Sequence, residues 1–118
     1  MKHSGIALTG LFVLAITATV EAAGEDRDRY DSSKPVTVEG SVLTSTFEDP
    51  NATIAVKAPD KIWTVTMAPV SQMIERGVKA DLVAVGKTVS AYGYQSKVEM
   101  NEMRAERITV DGKTYQLH

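Results

Sequence analysis

Histidine is the side chain that most often moves protons near neutral pH, and its positions here restrict the chemistry. The chain has two histidines, His3 and His118, and no cysteine. A Ser–His or Cys–His nucleophilic pair needs a histidine placed beside the nucleophile, and zinc needs three or four His, Cys or carboxylate ligands. The sequence therefore predicts neither a nucleophilic enzyme nor a zinc protein, and we expect no cofactor.

Paired carboxylates are the remaining option for acid–base catalysis. Glu102 and Glu106 share a face of a predicted strand, and general acid–base catalysis uses carboxylates in such proximity. Alternation along a strand explains the same spacing more simply as a solvent-exposed face. We therefore expect this protein not to be an enzyme.

Methionine is a further residue type here that is able to bind a metal. Met100 and Met103 lie in the stretch MNEM, and thioethers bind Cu(I), with His118 as a candidate third ligand. A spacing of three on a strand puts two side chains on opposite faces, and methionine commonly fills irregular cores. Core packing is the preferred interpretation, and copper handling in the periplasm is an alternative function.

Alternating apolar residues predict a run of short strands beginning at Pro35. The turn signal Asp49-Pro50-Asn51 ends the first of them, and the connector 79–87 offers Leu82 and Val85 as apolar anchors. The Asp111-Gly112 pair is a hairpin signal and allows a short last strand over 113–118. The five main predicted strands cover 35–48, 52–58, 62–67, 88–94 and 98–110.

The stretch KIWTVTMAPVSQMIERGV changes from strand to helix periodicity. Trp63, the single tryptophan, shares a predicted face with Val65 and Met67, so we expect it in the core rather than in a ligand platform. Pro69 suits the first turn of a helix, and Gly77 suits its end in a left-handed conformation. The stretch predicts a helix of about two turns after the third strand.

The predicted element order is three strands, a short helix and two further strands, which is the order of the OB-fold. Gly40 inside the first strand fits the bend that this barrel needs. A β-sandwich, the competing architecture, usually has more strands and no helix in the middle. We therefore predict a mainly β domain over 35–118, a small OB-like barrel of five to six strands with one short helix between strands 3 and 4.

Residues 1–22 have the layout of a secretory signal peptide that is removed on export. Lys2 precedes an apolar run over 6–20, which is shorter than the roughly 20 residues of a membrane-spanning helix. We therefore expect a periplasmic protein with no stable membrane insertion after cleavage. Residues 23–34 are nearly all polar, and we expect them to form a flexible leader.

The charge of the chain disfavours a polyanionic partner. It has 13 Lys and Arg against 15 Asp and Glu residues, a net charge of −2. Binding to nucleic acid normally requires a basic excess, so we expect no nucleic-acid partner. Since cysteine is absent, the exported domain has no disulfide and depends on its apolar core for stability.

OB barrels usually bind their ligands across strands 2 and 3 and through the loops between strands 1–2 and 4–5. The leading hypothesis is therefore a non-enzymatic periplasmic binding or accessory module that acts through the barrel rim loops 48–51 and 95–98, with an unknown small ligand or a periplasmic protein as partner. A structural protein–protein interaction module, pairing through an exposed strand edge, is a further alternative. The candidate binding residues are Asp49, Asn51, Tyr92, Tyr94 and Lys97.

Residues 34–117 also resemble a widespread group of small exported bacterial proteins of unknown function. The motifs that carry the resemblance occur in order as KPVTVEGSV, IWTV, ERGV, VGKTV, YGYQ, EMRAERITV and DGKTY. The resemblance implies an OB-like β-barrel in the periplasm and no established activity. More distantly, the chain is similar to the periplasmic bacterial OB-fold proteins in its element order and its export signal.

Two departures from the pattern of this group concern histidine. Its members commonly carry His-His-Ser near the mature N-terminus and Asn-Pro-His after the first strand. Here the leader 23–34 contains no histidine, and the turn after the first strand reads Asp49-Pro50-Asn51. Any metal or ligand site built on those histidines is therefore not expected in this chain.

Overall fold

One sheet of six strands closes on itself, with a short helix between its third and fourth strands. The computed structural model describes residues 29–118. The predicted signal peptide and residues 23–28 of the predicted leader lie outside the described residues. The strands are β1 (Tyr30–Thr46), β2 (Thr53–Lys57), β3 (Ile62–Thr66), β4 (Thr88–Ser96), β5 (Glu102–Val110) and β6 (Lys113–Gln116); the helix is α1 (Val70–Glu75), followed by a 3-10 helix (Ala80–Val83).

The sheet becomes a ring because its third strand also pairs with its fifth. The strand order is β3-β2-β1-β4-β5-β6, and every neighbouring pair in it is antiparallel. A parallel pairing of β3 with β5, in which Thr64 lies opposite Glu102, closes the ring, and β6 extends β5 outside it. This arrangement confirms the predicted mainly β barrel with one short helix between strands 3 and 4.

The long first strand pairs with two neighbouring strands in succession. Residues 35–41 of β1 pair with β4, and residues 41–46 pair with β2. Gly40 lies at the change of partner, where a Cβ atom would be 2.0 Å from the carbonyl oxygen of Lys57. A residue with a side chain does not fit there, so glycine allows the two backbones to approach and β1 to bend.

Inward-facing apolar side chains fill the ring and meet α1. Trp63 is 7% exposed and belongs to this core together with Val65 and Met67, which confirms that the predicted inward face of β3 is a packing face. The other buried apolar residues are Val38, Val42, Ala52, Ile54, Val56, Ala68, Met73, Val78, Val83, Val89, Ala91, Met103, Ala105, Ile108, Val110 and Leu117.

The helix ends as its sequence predicts. Gly77 has φ +95°, and its N–H donates to the carbonyl of Ile74 at 3.0 Å. The N–H of Val78 donates to the carbonyl of Met73 at 2.8 Å, and both of these side chains are buried. This pair of bonds is a Schellman motif with its hydrophobic contact, which fixes the direction in which the chain leaves α1.

The hairpin between β5 and β6 also follows its sequence signal. Asp111 and Gly112 have φ of +53° and +78°, and Val110 pairs with Lys113. Two consecutive left-handed residues form the type I′ turn that matches the twist of antiparallel strands. No helix within residues 29–118 is long and apolar enough to cross a membrane.

The first strand starts earlier than predicted. It begins at Tyr30 rather than Pro35, so residues 30–34 of the predicted flexible leader are strand. Polar composition suggested a flexible segment, but Tyr30 pairs with Ser96, and tertiary contacts hold the segment in place. Composition alone does not report such long-range pairing.

The connector before β4 also differs from its prediction. Its buried anchor is Val83, with Leu82 partly buried against the core, whereas Val85 is exposed. Val83 is the last residue of the 3-10 helix at Ala80–Val83 and faces the core, whereas Val85 lies beyond it in the turn before β4.

The close approach at Gly40 makes a direct stability prediction. We expect Gly40→Ala to lower the free energy of unfolding by about 3 kcal/mol or more, because the methyl group overlaps a backbone carbonyl that has little freedom to move. Gly112→Ala is the matched control, since it meets no atom within 4 Å and suffers only from its positive φ. It should cost roughly 1–2 kcal/mol. Urea denaturation of the three proteins measures the difference, and equal losses would show that space at Gly40 is not limiting.

Candidate functional site

Two of the predicted binding residues form an aromatic pair on the outside of the barrel. Tyr92 and Tyr94 point outward from β4, whereas Ala91 and Gly93 are buried. The two tyrosine rings meet edge to face, with centroids 6.3 Å apart and an interplanar angle of 64°. Both tyrosines are partly exposed, so their outer surfaces are accessible to a partner.

Arg107 completes this surface, and the sequence analysis missed it. Its guanidinium carbon lies 4.0 Å from the ring centroid of Tyr92 in a cation–π contact. Uninterrupted alternation from the buried Met103 would point residue 107 inward. The register shifts between Tyr92 and Gly93, where Glu106 and Arg107 together oppose one residue of β4. This β-bulge turns Arg107 outward. We call Tyr92, Tyr94 and Arg107 the tyrosine face.

The tyrosine face belongs to a row that crosses four strands. Thr37 pairs with Tyr92, Tyr92 with Arg107, and Arg107 with Gln116. Neighbouring strands lie about 4.8 Å apart, so the row spans roughly 14 Å of sheet surface. The side chain of Tyr94 borders this row on β4. The arrangement is an extended surface rather than a pocket.

The loop between β1 and β2 places its two predicted binding residues in structural contacts. The Asp49 carboxylate accepts a hydrogen bond from the N–H of Val70 at 3.1 Å, and Val70 is the first residue of α1. This bond satisfies one of the open N–H groups at the start of the helix. The backbone carbonyl of Asn51 accepts a hydrogen bond from the Thr53 hydroxyl at 3.2 Å.

The loop between β4 and β5 is ordered by its own backbone. The N–H of Lys97 donates to the carbonyl of Arg29 at 2.6 Å, and the Lys97 side chain is exposed. The Ser96 hydroxyl accepts hydrogen bonds from the N–H groups of Val98 and Glu99, both at 3.0 Å. These contacts fix the loop, and within residues 29–118 the Lys97 ammonium is in no ion pair.

The structure does not bring the two predicted rim loops together. The 48–51 loop follows the end of β1, where Thr46 pairs with Thr53. The 95–98 loop lies at the start of β1, where Tyr30 pairs with Ser96. The two loops are therefore attached to opposite ends of a 17-residue strand, and Tyr92 and Tyr94 lie between them.

The candidate copper ligands are also separated. Met100 is 73% exposed in the loop before β5, and Met103 is fully buried in the core. The imidazole Nε2 of His118 lies 2.8 Å from the carbonyl oxygen of Met67, and its Nδ1 is engaged by Arg104 and Gln72. Within residues 29–118, no group of three or more His, Cys, Asp or Glu side chains is arranged to hold a metal ion.

A partly buried carboxylate, that of Glu102, connects the first described residues to the β3–β5 pair that closes the ring. The Tyr30 hydroxyl donates to Glu102 at 2.7 Å, and Thr66 and Arg29 each lie 3.4 Å from the same carboxylate. Burial raises the pKa of the Tyr30 phenol to about 12, and its hydrogen bond to Glu102 adds to the rise. The cluster joins β1, β3 and β5 at the seam of the barrel.

His118 makes a second polar cluster where the chain returns to α1. Its Nδ1 lies 3.0 Å from the Arg104 guanidinium and 3.3 Å from the Gln72 amide. With Nε2 donating to the Met67 carbonyl, Nδ1 accepts from both neighbours, which requires the neutral imidazole. Burial lowers the pKa of His118, and the positive charge of Arg104 lowers it further.

Two open clefts lie on the described surface. One, of about 540 Å³, is lined by polar residues that include Glu39, Ser90 and the Lys87–Asp111 ion pair, whose charged atoms are 2.9 Å apart. The other, of about 500 Å³, lies between β1 and the turn that joins β2 to β3. Neither cleft contains the tyrosine face.

Comparison with known proteins supports the fold. No protein-family model matches the chain, and no curated protein matches it. Crystal structures of TiaS, a tRNA agmatidine synthetase, are similar in part. The complex of TiaS with its tRNA and ATP is 14% identical with a TM-score of 0.52, covering 70% of this chain and 19% of that chain. The ZRD-deleted mutant with agmatine is 16% identical with a TM-score of 0.54, covering 74% and 27%.

The extent of that likeness limits what it implies. Apo TiaS gives the same result, at 15% identity and a TM-score of 0.51. The chain spans less than a third of each TiaS chain, and a likeness at such identities concerns the backbone arrangement. It shows that the barrel of this chain occurs elsewhere as one part of a larger protein.

The Tyr30–Glu102 bond predicts a measurable loss of stability. We expect Tyr30→Phe to lower the free energy of unfolding by about 1.5–3 kcal/mol, the usual range for hydrogen bonds to charged groups. Because the phenol pKa is raised from 10.0 to about 12, this contribution is complete below pH 10 and is lost between these values. Urea denaturation at neutral pH and at pH 11 measures both effects. Tyr115→Phe is the control, and an equal loss there would contradict the assignment.

The neutral state of His118 predicts a pH dependence of stability at mild acidity. Its folded pKa lies below the usual 6.5, so the unfolded chain takes up the proton first as the pH falls. Stability is therefore full above about pH 6.5 and falls as the pH drops toward the folded pKa. Thermal unfolding of wild type should show this slope between about pH 7 and pH 5, above the range where most carboxylates titrate. His118→Gln should flatten it, and an unchanged slope would exclude His118 as the titrating group.

Proposed function

We propose that this protein is an exported, non-enzymatic accessory module that binds another protein of the periplasm through its tyrosine face. The observation that carries the proposal is the outward cluster of Tyr92, Tyr94 and Arg107 on a surface four strands wide. Tyrosine and arginine dominate the energetically important centres of protein interfaces. Small-molecule sites are usually concave, so an extended surface favours a protein partner.

The local charge supports a partner surface around Arg107. Within the described residues, Arg104 is paired with Glu106 at 2.6 Å, whereas Arg107 lies against an aromatic ring and in no ion pair. Its guanidinium donors therefore remain available to a carboxylate or a backbone carbonyl of a partner. Tyr92 holds the guanidinium in place before binding, which reduces the entropy lost on association.

The export and the family of this module are part of the same proposal. The layout of residues 1–22 supports secretion. The shared motifs support membership of the group of small exported bacterial proteins, because several have structural roles here. Gly77 of ERGV ends α1, and Asp111-Gly112 of DGKTY forms the β5–β6 turn. The absence of cysteine, and of any histidine between His3 and His118, supports a role without catalysis.

Nucleic-acid binding is the function that the TiaS structures would suggest, since one of them contains a tRNA. Single-stranded nucleic acid needs a positive groove beside its stacking aromatics. The net charge of this chain is −2, and the tyrosine face offers one arginine outside ion pairs among the described residues. The chemistry of the surface therefore favours a protein partner over a nucleic acid.

Site-specific photo-crosslinking in the native host tests the proposal. A photoreactive amino acid at position 116, beside Arg107 in the sheet and exposed, should give an adduct of defined mass with one periplasmic protein. The same amino acid at position 75, exposed on α1, should not give that adduct. Adducts of equal yield from both positions would contradict a specific surface.

Substitutions in the tyrosine face then measure its contribution. Arg107→Ala and Tyr92→Ala should each weaken binding to the crosslinked partner by about 2 kcal/mol or more, roughly thirtyfold in Kd. Arg76→Ala, an exposed arginine next to α1, is the matched control and should leave the Kd unchanged. Circular dichroism checks that the variants remain folded. Unchanged affinity of both face variants would reject the proposed surface.

A further inference from the structure

The first half of β1 has one edge that no strand within residues 29–118 covers. Residues 35–40 pair with β4, and pairing with β2 begins only at Ser41. The β2–β3 turn stands opposite this edge and does not pair with it, since Ala58 bonds within the turn to Lys61. The crevice of about 500 Å³ lies between them.

The hydrogen-bond pattern of β1 shows which backbone groups face the crevice. Val42 donates to the Lys87 carbonyl at 2.8 Å and accepts from the Gly86 N–H at 2.9 Å, so its backbone faces the β4 side. The register with β4 runs without a shift over 35–41, and backbone groups alternate between the two edges of a strand. The N–H and C=O groups of Thr37 and Glu39 therefore point to the open edge. Pro35 lies two residues before Thr37, so its backbone faces the same open edge. Proline has no N–H to pair, which suits an edge position.

Two kinds of side chain line the crevice. Val36, Val38 and Trp63 belong to the inward faces of their strands and give its floor an apolar lining. Glu39 and Asp60 are exposed carboxylates at its rim. A strand lying along β1 would direct alternate side chains to the floor and to the rim.

The charged side chains near the crevice differ in how far their own neighbours already engage them. The ammonium of Lys61, a cation in the β2–β3 turn, lies 4.5 Å from the Trp63 ring centroid and donates to the Met100 carbonyl at 2.9 Å. Asp60 accepts only a long bond of 3.4 Å from the Trp63 indole, and Glu39 accepts one from the Ser90 hydroxyl at 3.2 Å. Among the described residues, neither carboxylate is in an ion pair.

We propose that the open edge of β1 binds an extended segment of a partner polypeptide in which apolar residues alternate with basic ones. The segment would add a strand beside Thr37 and Glu39, with its backbone bonded to theirs. Its apolar side chains would contact Val36 and Trp63, and its basic side chains would meet Glu39 and Asp60. This site is separate from the tyrosine face and does not depend on the function proposed for it.

Trp63 provides a direct signal for a binding test, since it is the single tryptophan of the chain and lines the crevice. The probe is a capped seven-residue peptide of alternating valine and lysine, titrated into the purified protein. We expect a saturable change in tryptophan fluorescence that weakens as salt is added. A peptide of alternating valine and glutamate should give no change. The absence of a response to the basic peptide at millimolar concentration would overturn the proposal.

Charge-reversal variants locate the binding. Glu39→Lys and Asp60→Lys should each weaken the basic peptide by about tenfold, and the double variant should bind the valine–glutamate peptide instead. Glu75→Lys, which reverses an exposed carboxylate on α1, is the matched control and should bind as wild type does. Equal affinities of the crevice variants and the control would place the peptide elsewhere and overturn the proposal.

Backbone methylation of the peptide tests strand addition without altering the protein. Methyl groups on the valine amides block one edge of the extended peptide, and methyl groups on the lysine amides block the other. One of the two methylated peptides should lose binding and the other should retain it, because only one edge meets β1. Loss or retention by both would reject backbone pairing. A fluorescence change that follows protein concentration and dimer formation in light scattering would assign the edge to a second copy, which also overturns the proposal.

Discussion

The close contact between Gly40 and the carbonyl of Lys57 is the constraint on which the rest of the barrel depends. A strand that pairs with β4 in its first half and with β2 in its second half has to turn sharply between them. A Cβ atom at position 40 would lie 2.0 Å from that oxygen, so only glycine fits there. Because β1 bends there, β2 and β3 are directed toward β5, and the pairing of β3 with β5 closes the ring. A comparable contact at Gly93 lets β4 approach the backbone of Arg104.

The same two glycines determine where the two proposed surfaces lie. Gly93 adjoins the register shift that turns Arg107 outward against Tyr92. The tyrosine face therefore depends on the β-bulge between β4 and β5. The bend at Gly40 separates the early part of β1 from β2 and leaves its edge open over residues 35–40. Ring closure needs a bend and a bulge. The bulge exposes the side chain of Arg107, and the bend exposes backbone N–H and C=O groups of β1 that a regular sheet would pair.

Local patterns in the sequence predicted most of the elements, because they depend on neighbouring residues. Alternation identified the strands, Gly77 ended the helix, and the inward face of Trp63, Val65 and Met67 was correct. The errors arose where distant residues decide the outcome. The strand at 30–34 depends on pairing with Ser96, and the outward turn of Arg107 depends on a bulge opposite β4. Asp49, chosen for its place in a loop, caps α1 across 21 residues of sequence.

Thr37 connects the two proposed surfaces on a single strand. Its side chain lies beside Tyr92 on the outer face, while its backbone groups point to the open edge. A strand added at that edge would therefore continue the row that runs through Thr37, Tyr92 and Arg107 and widen the sheet surface by about 4.8 Å. The β2–β3 turn forms the far wall of the crevice, where Lys61 covers Trp63. The two proposed surfaces are therefore adjacent, since one uses the outward side chains of this part of the sheet and the other uses the backbone edge of the same strand.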